Sequence, residues 1–426
     1  MTAPSIRIEI GFNATSYLGT FFVLDDYAAD GTTAGPSTLN NTTNTLAGTT
    51  FVDVTDYVSG QVSVTRGRSR ETDQYAAGTM SFQLRNEDRR FDPSNTAGPY
   101  YPGPQPRLQV NAYMAKGLAE SQIFSGYIDD LDIGYEVDGV SVVNVSCIDA
   151  YSVLSNSYLR SFAVTAGWST GRAIRSALKT TGYASAYVVD NGLTTVKNST
   201  QDKVTVLDFA QLMAKTENGF LFVDGSGVLR FKNRHFTGFG TIEASFSDVP
   251  ADWPASVDYV GITQRAASTL LYNEVSATRD GGTAQVVSDS TSIGQFMKRA
   301  LDISGLQNKD DTDVLNLAYY MLGRYSQPDL RFDNVTVELA GLSDDQATTL
   351  LGLELTDTVT VKRTPPGTGS PTSTSMSCLI DGISISADAS SGSFRVTYNL
   401  SALRSRQTFI LDDSSLGVLD TSKLDY

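Results

Sequence analysis

The feature that most constrains this chain is a series of strand-like segments that occurs twice in the same order. Each segment alternates apolar and polar residues, the pattern of a half-buried β-strand, and most are rich in Val, Ile, Thr and Tyr. The first series begins with VSVTRGRSRETD at Val62 and the second with VSATRDGGT at Val275. This repetition predicts a mainly β protein with two duplicated antiparallel β-barrel or sheet domains.

Later segments of the two series correspond residue by residue. The correspondence joins Tyr127-Ile128-Asp129 with Leu379-Ile380-Asp381, and Val143, Val145 and Cys147 with Val396, Tyr398 and Leu400. The only two cysteines, Cys147 and Cys378, therefore fall on different strands of the repeats. A disulfide framework is excluded, and we expect both to be small buried apolar side chains.

The two copies differ between their first and second strands. The first copy has a charged loop there, RGRSRETDQYAAG, whereas the second has DTDVLNLAYYMLGRY, which predicts a helix over 312–325. Three aspartates, Asp310, Asp311 and Asp313, surround the start of that helix. The helix dipole favours carboxylates at this end, so the acidic cluster needs no metal ion to explain it.

A segment of different character lies between the copies, over 151–270. It contains two amphipathic helical patterns, Ser169–Tyr183 and Val204–Gly219, with Gly219 as the predicted C-cap. A hairpin follows, with its turn at Asp224–Gly227. These patterns predict an α+β insert domain.

The chain thus divides into four parts. We predict the first copy over 1–150 with a Thr- and Asn-rich decorative loop over 28–50, the insert over 151–270, the second copy over 271–403, and a C-terminal docking arm over 404–426. The arm carries apolar residues beyond the last repeated strand, which we predict to dock on a neighbouring subunit or tail protein. These residues are Phe409, Ile410, Leu411, Leu416, Val418 and Leu419.

Charge and hydropathy exclude several classes of protein. The 426 residues carry a formal net charge of −15, which disfavours binding to nucleic acid phosphates or to an anionic membrane. No stretch approaches the ~18 apolar residues of a membrane-spanning helix, so we expect no membrane insertion. The start of the chain, MTAPSIRIEIGF, lacks the pattern of a signal peptide.

The sequence offers few residues for catalysis or metal binding. The single histidine, His235, adjoins no catalytic motif, so a triad built on it remains only an open alternative. The densest acidic group is Asp129, Asp130 and Asp132, where a glycosidase-like carboxylate pair or a calcium site is conceivable. Strand alternation separates Asp129 from the other two. We therefore predict no catalytic residues, no cofactor and no metal site.

Six arginines in the first copy depart from the acidic trend and alternate with carboxylates. We interpret them as partners in ion pairs between chains or between rings, with a solvated face as the alternative. They are Arg66, Arg68, Arg70, Arg85, Arg89 and Arg90.

Several stretches resemble minor tail proteins of long-tailed actinobacteriophages. The resemblance rests on VDVTDYVSGQVSVTRGRSRETDQYAAGTMSFQLRNEDRRFDPSN, on PGPQPRLQV, on the hairpin NGFLFVDGSGVLRF and on FILDDSSLGVLDTSKL. The two-copy layout is similar to that of phage tail hub, or baseplate hub, proteins, which are trimers with two tube-forming barrels per subunit.

This resemblance implies a structural virion protein at the tail tip of a siphophage. Such a hub would adapt the six-fold tail tube to a three-fold tip and provide a channel through which DNA is ejected without specific binding. The implied partners are two further copies of the chain, the distal tail protein, the tape measure protein and other tail-tip proteins. Any host-binding or wall-cleaving part is expected on another protein, since long C-terminal spikes are absent here.

Three other functions remain open. A hexameric distal tail protein also carries a tube barrel, although one copy per chain would be expected. A cell-surface adhesin would fit the Thr- and Asn-rich loop, but should carry a secretion signal. A glycan-cleaving tail enzyme would need a carboxylate pair that the sequence does not identify.

Overall fold

The computed structural model describes residues 3–12, 51–101, 103–135, 140–234, 236, 241–252, 255–266, 268–328 and 330–403. Within these ranges the fold is mainly β, as the sequence predicts, and the largest sheet contains thirteen strands. No helix in the described part of the chain is long and apolar enough to cross a membrane.

The first copy is an antiparallel sheet of seven strands. Its spatial order is β3-β4-β7-β6-β5-β1-β2. The strands are β1 (Ser5–Ile10), β2 (Val52–Asp53), β3 (Val58–Gly67), β4 (Ala76–Arg85), β5 (Gln109–Lys116), β6 (Ala119–Tyr135) and β7 (Ser141–Ile148).

The insert follows β7 and has its own hydrophobic core. Ser169 and Thr205 cap its two longer helices by accepting hydrogen bonds from the backbone N–H groups of Arg172 and Asp208. Its elements are α1 (Tyr151–Ser155), β8 (Tyr158–Leu159), β9 (Phe162–Val164), α2 (Thr170–Thr180), β10 (Tyr187–Val189), β11 (Ser199–Gln201), β12 (Val204–Thr205), α3 (Val206–Glu217), β13 (Phe220–Val223) and β14 (Leu229–Lys232).

The end of α3 differs by one residue from the sequence prediction. The left-handed residue is Asn218, with φ of 55°, and not Gly219. Asparagine tolerates this conformation better than most residues. The predicted hairpin forms between β13 and β14, and its turn is held by Asp224 Oδ1, which accepts the N–H groups of Ser226 and Val228.

The second copy begins with two strands, continues through a small separate unit and ends with a helix and four strands. Its sheet order is β16-β20-β23-β22-β21-β15. The elements are β15 (Ile242–Ser247), β16 (Gly261–Ala266), β17 (Glu274–Arg279), β18 (Gln285–Ser288), α4 (Ser290–Phe296), β19 (Ala300–Leu306), α5 (Asp311–Tyr325), β20 (Leu330–Glu338), α6 (Asp344–Gly352), β21 (Thr358–Arg363), β22 (Thr374–Asp388) and β23 (Ser393–Ala402).

Matching irregularities support the duplication. The pairing of β6 with β7 shifts by one residue at Asp129, and the pairing of β22 with β23 shifts at Asp381. Next to these bulges, Ile128 lies opposite Cys147 and Ile380 lies opposite Leu400. The residue correspondences predicted for these strands therefore hold in the register of both sheets.

One strand assignment from the sequence is wrong. The segment VSATR forms β17, which pairs with β18 and β19 in a separate three-stranded sheet and packs on α5. The structural counterpart of β3 is β16, which pairs with β20 as β3 pairs with β4. An alternating pattern indicates a half-buried strand but does not tell which sheet contains it. The predicted helix lies between β16 and β20, at Asp311–Tyr325.

The copies also differ at their sixth strand. In the first copy β1 pairs antiparallel with β5, whereas in the second β15 pairs parallel with β21. Both β15 and β16 lie within the range predicted for the insert, and from their pairing we propose that the second copy begins near residue 242. Both copies contribute to one hydrophobic core, in which Cys147 and Cys378 are buried and free.

Candidate subunit interface

The two copies are joined edge to edge by a single strand pairing. The C-terminal half of β22 runs antiparallel to β3, from Gly382 opposite Gly67 to Ala387 opposite Val62. The side chains of Ile383 and Val64 on this edge are buried. We call this pairing the internal junction. In this junction a strand of one copy covers the edge strand of the other copy.

Gly67 allows the two chains of the internal junction to approach closely. Its φ is 93°, and a Cβ atom at this position would lie 2.3 Å from the carbonyl oxygen of Asp381. The next residue, Arg68, donates its backbone N–H to that same oxygen at 2.8 Å. Only glycine fits both the backbone conformation and the contact.

Ion pairs cross the internal junction in two places, and each includes a buried residue, Arg66 in one and Asp381 in the other. Arg66 Nη1 lies 2.6 Å from Glu354 Oε1, and Arg68 Nη2 lies 2.9 Å from Asp381 Oδ1. The hydroxyl of Tyr75 also donates to Asp381 Oδ1, at 3.3 Å. Burial raises the pKa of the Asp381 carboxyl, while the positive charge of Arg68 opposes that rise. Ionised Asp381 thus depends on Arg68.

Lys116 provides a third connection between the copies. It lies at the end of β5, and its Nζ donates to the carbonyl oxygens of Leu339, Ala340 and Leu342 at 2.8, 3.0 and 2.6 Å. These carbonyls belong to the turn that follows β20. Burial lowers the pKa of Lys116, with nearby Asp344 opposing the shift.

In the described part of the chain, two strand edges are uncovered although the corresponding edges of the other copy are paired with a neighbouring strand. One is the C-terminal half of β6, over 130–135, which pairs with β7 on one side only. The other is the outer edge of β16, which pairs only with β20. Strand β6 corresponds to β22, and β16 corresponds to β3. The two uncovered edges are therefore the counterparts of the two strands that pair in the internal junction, but neither has a partner strand among the described residues.

Burial differs accordingly between corresponding positions. Ile383 and Ile385 on β22 are covered by β3, and Ile383 is only 3% exposed. Their counterparts on β6, Leu131 and Ile133, are half-buried, and Tyr135 at the end of the strand is 58% exposed. Such an uncovered strand edge is a template for pairing with another chain.

The acidic group predicted from the sequence lies along this uncovered edge. Asp129, Asp130 and Asp132 are all exposed, and Asp129 is the bulge residue of β6. Among the residues that the structure describes, no group of three or more Asp, Glu, His or Cys side chains is arranged to hold a metal ion.

Five of the six arginines that were predicted to pair between chains have partners within the chain, and the sixth, Arg70, is exposed. Arg66 and Arg68 pair across the internal junction, as given above, whereas Arg89 pairs with Asp92 and Arg90 with Asp88. Arg85 donates to the carbonyl oxygen of Asp56. The alternation of charges in the sequence was a real signal, but it indicated contacts between copies and local turns.

Some predicted residues lie outside the described ranges. His235 is one, and the decorative loop over 28–50 is another. So is the docking arm over 404–426, with Phe409, Ile410, Leu411, Leu416, Val418 and Leu419.

Sequence reasoning missed three features of this interface. The strand β16, GITQRA, has one large apolar residue and therefore no clear alternation. Lys116 resembles any lysine at the end of a strand. Gly67 did carry a signal, since a glycine within a strand pattern indicates a bulge or a close backbone approach.

Comparison with known proteins supports the architecture. The sequence matches no protein-family model and no curated protein at a significant level. Among solved structures, the fold is similar to a 43 kDa tail protein of prophage MuSo2 from Shewanella oneidensis, with a TM-score of 0.53, 13% identity, and coverage of 84% of this chain and 95% of that one. It is also similar to the tail protein from Neisseria meningitidis MC58, with a TM-score of 0.56, 10% identity, and coverage of 93% and 96%. The chain therefore has a fold that is also found in phage tail proteins.

Proposed function

We propose that the chain is a structural protein of a phage tail, and that it forms the hub at the tail tip. The observation that carries this proposal is the internal junction, where two corresponding sheets meet edge to edge within one chain. The similarity of the fold to that of two tail proteins supports it. A hub that adapts a six-fold tube to a three-fold tip needs such a duplication.

Closed rings are built from interfaces whose rotation returns to the starting point. Three chains with two corresponding copies each would present six similar sheets to a six-fold ring above, and only three sets of inserts to the tip below. The unit of β17–β19 and α5, found only in the second copy among the described residues, would break the six-fold symmetry without disturbing the sheets.

The ring would enclose a channel for DNA. A net charge of −15 fits a lining along which phosphates slide without binding, because carboxylates repel the duplex and clustered cations are not needed. In this function the ring contacts the distal tail protein above it, and the tape measure protein and other tip proteins as well. A hexameric distal tail protein would need one copy per chain, so the duplication favours the hub.

The C-terminal arm has a role in this proposal. Its apolar residues follow the last strand of the second copy, β23, which ends at Ala402. We propose that the arm docks on a neighbouring subunit or an adjacent tail protein. Deleting 408–426 should leave the folding of the chain intact and weaken assembly.

Labelling of virions tests the function. Virions of the phage or prophage that encodes the chain would be labelled with gold-conjugated antibody against the purified protein and imaged by electron microscopy. We expect gold only at the end of the tail that is distal to the head. Label along the entire tail or on the capsid would contradict the proposal. The absence of label from both intact and detergent-opened virions would also contradict it.

A further inference from the structure

We propose that the C-terminal half of β6 in one chain pairs antiparallel with β16 of a neighbouring copy of the chain. The ring would then be closed between chains by the same kind of pairing that joins the two copies inside each chain. This inference rests on the proposed ring and adds its interface, which we call the external junction.

The two uncovered edges correspond to the two strands of the internal junction. The bulges at Asp129 and Asp381 align β6 with β22. Strand β16 aligns with β3 through their partner strands, β20 and β4, which also correspond. Thr263 on β16 lies opposite Asn334 on β20, and Ser63 on β3 lies opposite Ser81 on β4. Since β22 pairs antiparallel with β3, the corresponding uncovered edges of β6 and β16 can pair in the same direction.

The register can be transferred as well. In the internal junction Ile383 lies opposite Arg66, and Ser386 lies opposite Ser63. Strand β16 has one residue fewer than β3 in this region, because its pairing with β20 shifts between Thr263 and Gln264. The transferred register includes this difference. The transferred register sets Leu131 opposite Arg265, Asp132 opposite Gln264, Gly134 opposite Thr263, and Tyr135 opposite Ile262.

The side chains of the two edges fit this register. Tyr135, which is 58% exposed, would be covered by Ile262 and lie near Val260, which is 62% exposed. Cross-strand pairs of an aromatic and a β-branched residue stabilise sheets.

Arg265 is the charged residue of β16 that would contact β6. It would lie opposite Leu131 and on the same face of the sheet, whereas Asp130 and Asp132 point to the other face. Within its own chain Arg265 contacts one carboxylate, that of Asp333 at 2.5 Å, and its side chain stays 52% exposed. The aliphatic part of Arg265 would cover Leu131, in the position that Arg66 has opposite the buried Ile383 in the internal junction.

Disulfide trapping tests the external junction. The variant carries Gly134→Cys and Thr263→Cys in one full-length chain, is oxidised mildly, and is examined by non-reducing electrophoresis. A Cβ atom at Gly134 would contact only Val142, at 3.6 Å from its Cγ2, and Thr263 is exposed, so both substitutions should be tolerated. The native Cys147 and Cys378 are buried, and the wild type and the two single variants serve as controls.

We expect covalent dimers and trimers from the double variant, with three chains as the largest species, and none from the controls. If the particle has the mass of three chains but gives no cross-linked species, the external junction is wrong and the proposal of a three-fold hub still stands. Cross-linked species of up to six chains would support the junction but contradict the three-fold hub. A protein that neither associates nor cross-links would contradict both.

Charge reversal provides an independent measurement. Arg265→Glu should weaken association of the chains by about tenfold or more, because it would bury a carboxylate against Leu131 without a cation partner. Lys298→Glu is the matched control, since Lys298 is 59% exposed and also pairs with one carboxylate, Glu274, but lies outside β16. Equal effects of the two variants would contradict the proposed register.

Discussion

Arg68 and Asp381 are joined by a hydrogen bond of 2.9 Å across the internal junction, although 313 positions separate them in the sequence. Asp381 is buried, and the bond links the end of β3 to the bulge of β22. The pair therefore fixes the place at which the two copies meet.

Removing Arg68 alone should be costly. Arg68→Met leaves a buried carboxylate without its cation, and we expect a loss of roughly 3–5 kcal/mol in the free energy of unfolding, measured with urea. The double variant Arg68→Met/Asp381→Asn should lose less, because no buried charge remains. Arg70→Met, at an exposed position, is the control. Equal losses for the single and double variants would show that the ion pair does not stabilise the junction.

Gly67→Ala should destabilise the chain by about 3 kcal/mol or more, since it combines an unfavourable φ with a clash against the Asp381 carbonyl. Gly392→Ala separates these causes. Gly392 has a φ of 70° but no atom within 4 Å of an added Cβ, so its loss should be about 1 kcal/mol. Thermal and urea unfolding of both variants measure the difference, and similar losses would contradict the close contact at Gly67.

Lys116→Met tests the connection between β5 and the turn after β20. Three carbonyl oxygens lose their ammonium donor, and we expect a loss of about 2 kcal/mol or more. Lys298→Met removes an exposed lysine paired with Glu274 and should cost at most ~1 kcal/mol. A Lys116→Met protein as stable as the wild type would show that these carbonyls are satisfied in another way.

Asp149 should make stability depend on pH. Burial raises the pKa of its carboxyl to about 7, while the N–H groups of Tyr151 and Gly78, which donate to it, oppose the shift. The ordinary pKa of an unfolded Asp is about 3.9. Between these values the folded chain binds more protons than the unfolded chain, so the contribution of Asp149 to stability is full below about pH 4 and is lost as the pH rises to about 7.

The variant Asp149→Asn isolates that contribution. Its free energy of unfolding should fall less than that of the wild type between pH 4 and pH 7, with a difference on the order of 3 kcal/mol. Urea unfolding at several pH values measures it. Parallel pH profiles for the two proteins would contradict a raised pKa at this site.

The sequence predicted the strands well but not all of their partners. Alternation identified β3, β6, β7, β22 and β23, and the correspondence of Cys147 with Leu400 was correct because both strands keep their core-facing positions. The assignment of Val275 failed because local alternation is the same in a small separate sheet and in a large one. Strand β16 was missed because an edge strand with one covered side needs few apolar residues.

The internal junction depends on contacts between residues that are far apart in the sequence. No local pattern distinguishes Lys116 from a solvated lysine, or brings Arg68 to Asp381. The YIDDLD group was visible as an acidic cluster, but its position on an uncovered edge follows only from comparing β6 with β22. That comparison requires the pairing of the folded chain.

The most direct test of the central claim is the mass and symmetry of the purified assembly, by native mass spectrometry together with class averages from electron microscopy. We expect a particle of three times the chain mass of 45.8 kDa, with three-fold symmetry and six similar lobes around an open centre. A stable ring of six chains with six-fold symmetry, or a chain that remains monomeric at all concentrations, would contradict it.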